Sequence, residues 1–370
     1  MRKIIHTLCR STGLLLLLAL LSGTTVSAQE HKSKRSLKRE FPVTRETTLE
    51  VQNKYGKIQV VTWDKDMVQV DVDIQVSESS ASKLKKLKED INIDFTGTES
   101  YIIVKSQFKS ETKRLASELK SVTHAISGSN KHVEINYMVY MPAYVDLVLT
   151  NKFGDIYMDE LSGEVDISLS NGAIMANRLS GNTKLSLNFA KGTLSTLGTA
   201  TVKMSYSDLT LGDAGQLDMT SKSSTLRADS VNVLKINSRR DKLFFHRVEY
   251  FYGNSNFSEV WIFDFLRESD LALKYGKLII EHVMPGFSKI YVKSEYTDVT
   301  LLFDEQCDFT FDILHHEKSL MRLPDKMVHA EESMEGKVYY RTQGALRSME
   351  PEARVSIDAL QKCFIKLSVK

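Results

Sequence analysis

Residues 205–263 read SYSDLTLGDAGQLDMTSKSSTLRADSVNVLKINSRRDKLFFHRVEYFYGNSNFSEVWIF. Four triplets in this stretch, Leu209-Thr210-Leu211, Leu226-Arg227-Ala228, Leu243-Phe244-Phe245 and Val260-Trp261-Ile262, each follow a turn rich in Asp, Ser, Lys, Arg or Asn, and they recur every 17 residues. Side chains alternate across a strand, so the flanking residues of each triplet share one face and the middle residue takes the other. One coil cannot bury its apolar face alone, and a fixed period with two-residue alternation inside it predicts a stack of coils.

The same phrase extends from Leu147 to Leu320. The apolar residue after each turn gives the row Ile156, Ile174, Leu194, Leu209, Leu226, Leu243, Val260, Leu278, Val299 and Leu320, with successive spacings of 18, 20, 15, 17, 17, 17, 18, 21 and 21. The expected fold is all-β: a single-stranded parallel β-helix, or β-solenoid, with coils of about 17–21 residues, a small partly helical insertion and a C-terminal cap. Leu226 with Ala228, Leu243 with Phe245, Val260 with Ile262 and Leu278 with Ile280 are the predicted interior ladders.

Outward from the array, five segments are expected. Residues 1–28 read as a signal peptide: Arg2, Lys3 and Arg10 precede the apolar run Leu14 to Leu21, and Val26-Ser27-Ala28 is a small-residue cleavage site. Residues 29–48, with HKSKRSLKRE at His31 to Glu40, read as a disordered basic arm that offers a contact to anionic lipid or glycan. Residues 49–146 hold the first coils plus a partly helical insertion that caps the N-terminal end. Here Asn53-Lys54-Tyr55-Gly56-Lys57-Ile58 anticipates Asn151-Lys152-Phe153-Gly154-Asp155-Ile156, a short helix is expected around Ser80 to Lys88, and a second helix or a loop over Lys109 to Ser127. Residues 147–320 are the repeat array, and residues 321–370 the C-terminal cap that blunts an otherwise open end.

The chain carries 49 Lys and Arg against 47 Asp and Glu, a formal charge of +2, and losing Arg2, Lys3 and Arg10 leaves 46 against 47, or −1. Interspersed charge of this kind gives no electrostatic case for nucleic acid. After the signal no apolar run reaches the 18 residues of a membrane span. Export is expected, to the periplasm, the outer-membrane surface or the cell surface. Cys307 and Cys363 are a candidate disulfide tying the C-terminal segment to the last coils; the alternative is two unpaired, half-buried thiols.

The outward row is Tyr157, Met175, Ser195, Thr210, Arg227, Phe244, Trp261, Ile279 and Thr300, with His246 and Phe263 two residues beyond its aromatic middle. Phe244, Trp261, Ile279, Arg227, His246 and Phe263 are therefore the candidate binding residues, for an envelope protein or a glycan. The competing reading is a patch covered by the 77–131 insertion, or a stack that only steadies the coils. No metal site is expected, since His315-His316 points to opposite faces of a strand, and the turns lack the Gly and Asp pattern of calcium-binding repeats. Asp155, Asp208, Asp241 and Asp298 suit turn chemistry, and no catalytic phrase or cofactor motif appears.

The phrases NKYGKI and NKFGDI, the passage VEINYMVYMPAYVDLVLTNKFGDIYMDELSGEVDISLSNG and the later LALKYGKL resemble the bacterial adhesins built of β-strand repeats, a domain-of-unknown-function family related to the head GIN domain proteins. The resemblance spans about Leu49 to Leu320. It implies a β-helical fold and an envelope or surface location, and supplies no catalytic residues. The expected function is an exported, non-enzymatic binding solenoid. The alternatives are a periplasmic scaffold or sensor of an envelope-stress system, or a polysaccharide-active enzyme on the same fold.

Overall fold

The computed structural model describes residues 31–109, 132–333, 338–348 and 351–370. The expected signal peptide and most of the expected second helical segment, 110–127, lie outside these residues. At the centre seven strands stack in sequence order, every neighbour parallel: β11 (Ala173–Asn188), β12 (Lys191–Ser205), β13 (Asp208–Lys222), β14 (Thr225–Arg239), β15 (Lys242–Asn256), β16 (Glu259–Val283) and β17 (Lys289–Phe303). This is the β-solenoid. The named ladder residues, Leu226, Ala228, Leu243, Phe245, Val260, Ile262, Leu278 and Ile280, are all buried, and a second ladder of Leu185, Val202, Met219 and Ile236 lines another wall.

The register corrects one member of the predicted row. Ile174 pairs with Gly192, which pairs with Leu209, whereas Leu194 pairs with Ala176 and Leu211. The spacings around it are therefore 18 and 17 in place of 20 and 15. A glycine had hidden the repeat, because its place in the apolar row is filled from the side: a Cβ at Gly192 would meet Leu209 Cδ1 at 2.7 Å and Leu187 Cδ1 at 3.3 Å.

Each coil turns one corner through a residue in the left-handed region. Asn171, Phe189, Tyr206, Ser223, Arg240, Phe257, Tyr275 and Tyr296 hold φ between 49° and 59°. The next residue is small or polar, and in four consecutive coils, at Ser207, Ser224, Asp241 and Ser258, it is buried and its side chain satisfies the corner of the coil before it. Ser207 Oγ accepts from Ala190 N (3.1 Å), Ser224 Oγ from Ser207 N (3.2 Å), Asp241 Oδ1 from Ser224 N (2.8 Å) and Ser258 Oγ from Asp241 N (3.0 Å). Buried Asp241 also accepts from Ser221 and Ser238 hydroxyls and Arg239 N, so its four donors make it a structural residue of the turn.

The first coil is β2 (Thr48–Tyr55) with β3 (Ile58–Thr62). It lies directly on β8 (Asp146–Phe153) and β9 (Ile156–Met158), with Asn53 beside Asn151, Tyr55 beside Phe153 and Ile58 beside Ile156. The two related phrases thus stack, and β10 (Val165–Ser170) joins β8 to β11. The insertion between them supplies β4 (Met67–Glu78), α1 (Ala81–Asp90), β5 (Ile91–Gly97), β6 (Tyr101–Phe108) and β7 (His132–Met141). β6 and β7 continue the two walls in parallel beyond β2 and β3, and antiparallel β5 and β4 then close the end.

The expected disordered arm is instead ordered over most of its length. His31–Pro42 forms β1, paired antiparallel along β4 from His31 with Glu78 to Pro42 with Met67. Its charge misled because β4 needs a partner for its backbone, while Lys on the outermost strand is what a protected sheet edge carries.

At the other end, β18 (Phe309–His316) and β19 (Leu320–Arg322) do not lie on β17. The chain's last strands, β22 (Ala353–Ala359) and β23 (Phe364–Val369), are inserted between, parallel to both sides. The place next to Val299 is thus held by buried Ile365, and Leu320, predicted for it, is exposed. Among the described residues the end is then covered by β21 (Tyr339–Leu346), antiparallel on β18, and β20 (Val328–Ser333), antiparallel on β21.

Leu243, 1% exposed, sits between Leu226 and Val260 in the interior. Leu243→Asp loses the buried side chain and strands a carboxylate, a cost of roughly 5 kcal/mol. Thermal unfolding by circular dichroism is expected to show a large drop in Tm; an unchanged Tm contradicts the inward assignment.

Candidate functional site

Parallel pairing sets the outward row as firmly as the inward one. Tyr157, Met175, Thr193, Thr210, Arg227, Phe244 and Trp261 stand beside one another on successive coils. Thr193 takes the place predicted for Ser195, for the same reason that Gly192 replaces Leu194. The bond from Lys277 N to Ser258 O carries the next coil alongside, which sets Ile279 after Trp261, and Ile279 pairs with Thr300.

The aromatic middle of the row forms a built surface. The Phe244 and Trp261 rings stack with centroids 4.8 Å apart at 10°, and the Arg227 guanidinium covers the free face of Phe244 at 5.1 Å. Two residues along, His246 and Phe263 stack at 5.0 Å and 13°. Together they line an open groove of about 270 Å³ whose rim also carries Asp229 and Glu281. Five of the six candidate binding residues meet in this groove, and half-buried Ile279 flanks it on the next coil. The described part of the insertion does not cover it, since α1 packs on β1, β4 and β5 at the far N-terminal end. Chemically the groove offers flat aromatic surface beside one cation and two carboxylates, which suits an amphipathic ligand held by stacking and hydrogen bonds.

Sequence reading missed two features. The first is a second aromatic ladder at the left-handed corner, where Phe189 stacks on Tyr206 at 5.0 Å, Phe257 on Tyr275 at 4.8 Å, and Tyr275 on Tyr296 at 5.0 Å, all exposed. Its signal was an aromatic residue immediately before the small residue of each turn, as in NFAKG, SYSD, NFSE, KYGK and EYTD. The second joins three coils. His282 Nδ1 faces Asp264 Oδ1 at 3.0 Å and His282 Nε2 faces Asp304 Oδ2 at 3.2 Å, with Arg247 Nη2 3.6 Å from Asp264 Oδ2. The backbone N–H of Gln306, followed by His282, holds the Asp304 carboxyl below its usual range. Spacings of 18 and 22 between these three residues, close to one coil each, were the signal.

The Asp and His atoms of that cluster are engaged with one another, and the thiol nearest to it, Cys307, is buried and turned to Val283 O. Among the described residues no group of three or more His, Cys, Asp or Glu is placed to hold a metal ion, and no helix is long and apolar enough to cross a membrane. His315 and His316 point apart: His315 is buried against Thr342 and His316 is half-buried on the other side.

The disulfide does not form. Cys307 and Cys363 are free and buried. Cys363 lies level with Thr297, two residues before the Val299–Ile365 pair, whereas Cys307 follows the other end of that wall and approaches Val283 O at 3.3 Å. The wall between Thr297 and Phe303 spans about 20 Å at the rise of a strand, far beyond the reach of a disulfide.

No family model and no curated protein matches the chain. Solved structures similar to it include a "putative adhesin" from Parabacteroides distasonis at 11% identity, covering 73% of this chain and 93% of that one with a TM-score of 0.35. Another is a "putative lipid binding protein" from the same organism at 10% identity, covering 89% and 96% with a TM-score of 0.29. A third is a "putative adhesin" from Bacteroides fragilis at 10% identity, covering 90% and 98% with a TM-score of 0.23. At such TM-scores the likenesses carry no functional argument.

Burial pushes the Cys307 thiol up to about 11 and raises that of Cys363. In a chain starting at Gln29, neither thiol is expected to react with a disulfide reagent at pH 8 while folded, and both react in denaturant. Absence of reactive thiol after denaturation without reductant would establish the bridge instead.

Proposed function

We propose that the chain is an exported, non-enzymatic β-solenoid of the cell envelope that binds a protein or glycan partner through the Arg227–Phe244–Trp261 groove. The observation that supports this most is the convergence of two stacked aromatic pairs and a guanidinium in one open groove. A purely steadying stack needs only ring on ring. Here the stack opens into a groove bearing both signs of charge, the composition of a recognition surface. A periplasmic scaffold or sensor is the same surface turned toward an envelope protein, and the partner's chemistry separates the two. A polysaccharide-active enzyme draws less support, since the Asp264, His282 and Asp304 side chains bond to one another and none of the three lines the groove, although Asp264 and His282 directly follow the lining residues Phe263 and Glu281.

The test uses the chain from Gln29 and its Phe244→Ser, Trp261→Ser double variant, each first shown by circular dichroism to be folded. Both are applied to a glycan panel and to envelope extract. The first chain is expected to retain a partner or glycan without turning it over, and the variant to lose it by about thirtyfold or more, as expected when a buried aromatic anchor is removed. Equal retention by both proteins overturns the groove as the binding surface, and turnover of a glycan revives the enzyme.

A further inference from the structure

The N-terminal end carries a second groove, remote from the aromatic one. α1 follows β4 and lies against β1 and β5, leaving a space on either side of Arg35, Lys88 and Ile91. The inner part, about 60 Å³, is floored by Ile74, Val76 and Ile91, which are 4–5% exposed. The outer part, about 620 Å³, adds Leu84, Lys85 and Lys109, with Glu89 as its one carboxylate. Cations from two separate elements therefore converge on an apolar floor.

Edge protection accounts for part of this. Lysines on β1 keep an exposed strand from pairing with another chain. It does not account for α1, whose Lys85 and Lys88 lie three residues apart and line the same groove. Among the described residues no ion pair engages Lys34, Arg35, Lys85 or Lys88. β1 and α1 together hold nine Lys and Arg against Glu40, Glu89 and Asp90, in a chain whose total is near neutral. The paired β4 adds Asp71, Asp73 and Glu78 and β5 adds Asp94, so the positive excess is local to β1 and α1 and not spread over the whole end.

We propose that this end docks on an anionic lipid surface, with the Lys and Arg heads on lipid phosphates and their aliphatic stems, with Leu84 and the groove floor, against the headgroup boundary. Long cationic side chains around apolar residues match that interface, where apolar and charged layers adjoin. An acidic peptide would satisfy the charge but leave the floor without an apolar partner. The rod would then stand with its N-terminal end on the membrane and its aromatic groove held away from it.

The chain from Gln29 is mixed with vesicles of phosphatidylcholine alone or with phosphatidylglycerol, and bound protein is separated by flotation. It is expected to float with the anionic vesicles only, less so as salt rises. Lys34→Gln, Arg35→Gln, Lys85→Gln, Lys88→Gln combined is expected to lower binding by a hundredfold or more, from the worth of a basic residue at an anionic surface. A control with exposed Lys184, Lys203, Lys235 and Lys242 of the array changed to Gln is expected to bind normally. The proposal is overturned by no flotation, by equal flotation with neutral vesicles, or by an equal loss in both variants, which would reduce the effect to net charge. Salt-sensitive binding of polyglutamate without vesicle binding overturns it in favour of an acidic protein partner.

Discussion

From Ala173 to Phe303 the backbone of each coil bonds in parallel to the coils before and after it, so that a residue stands beside its counterpart 17 to 21 places along. Hydrogen bonding is indifferent to side chains, but this register makes each side chain's neighbours members of its own row. Apolar rows become interior ladders, small polar rows close the corners, and aromatic rows stack. The 4.8–5.0 Å between stacked rings is the spacing of adjacent strands. The binding groove is thus an outcome of the architecture: Phe244 meets Trp261 because Leu243 meets Val260.

The corners show how the same register settles an unfavourable conformation. A bulky residue at positive φ costs of order 1–3 kcal/mol. Phe189, Tyr206, Phe257, Tyr275 and Tyr296 accept it at positions where Gly or Asn would be unstrained. Ring stacking along the corner returns about 0.5–1.5 kcal/mol for each pair, and after Tyr206 and Phe257 the inward Ser207 and Ser258 each accept a backbone N–H otherwise orphaned by the bend. Where the aromatic row lapses, at Ser223 and Arg240, the inward hydrogen bonds are densest, around Asp241.

What was legible in the sequence was whatever repeats. The period, the inward ladders, the kinship of NKYGKI and NKFGDI and the outward row all follow from alternation and spacing, whereas the direct stacking of the two phrases across the insertion shows only in the register. Gly192 was illegible because an apolar row was sought by its side chains, and a glycine has none. β1 was misread because its charge belongs to an edge, and no local pattern reveals that an edge needs a partner. The Asp264–His282–Asp304 cluster was overlooked because histidines were compared with histidines, although its members recur at nearly the coil period. The separation of Cys307 from Cys363 is set by the length of one wall, which no local pattern around either cysteine records.

The last coil places the end of the chain in the interior of the stack. β22 and β23 lie between β17 and β18–β19, although the residues on either side are synthesised earlier. Until residues 353–370 are available, β17 ends the rod with an unpaired edge, and β18 and β19 have no neighbour on that side. Assembly therefore cannot run from one end to the other in the order of synthesis: residues 353–370 act as a keystone, and without them β17 on one side and β18 and β19 on the other each keep an open edge.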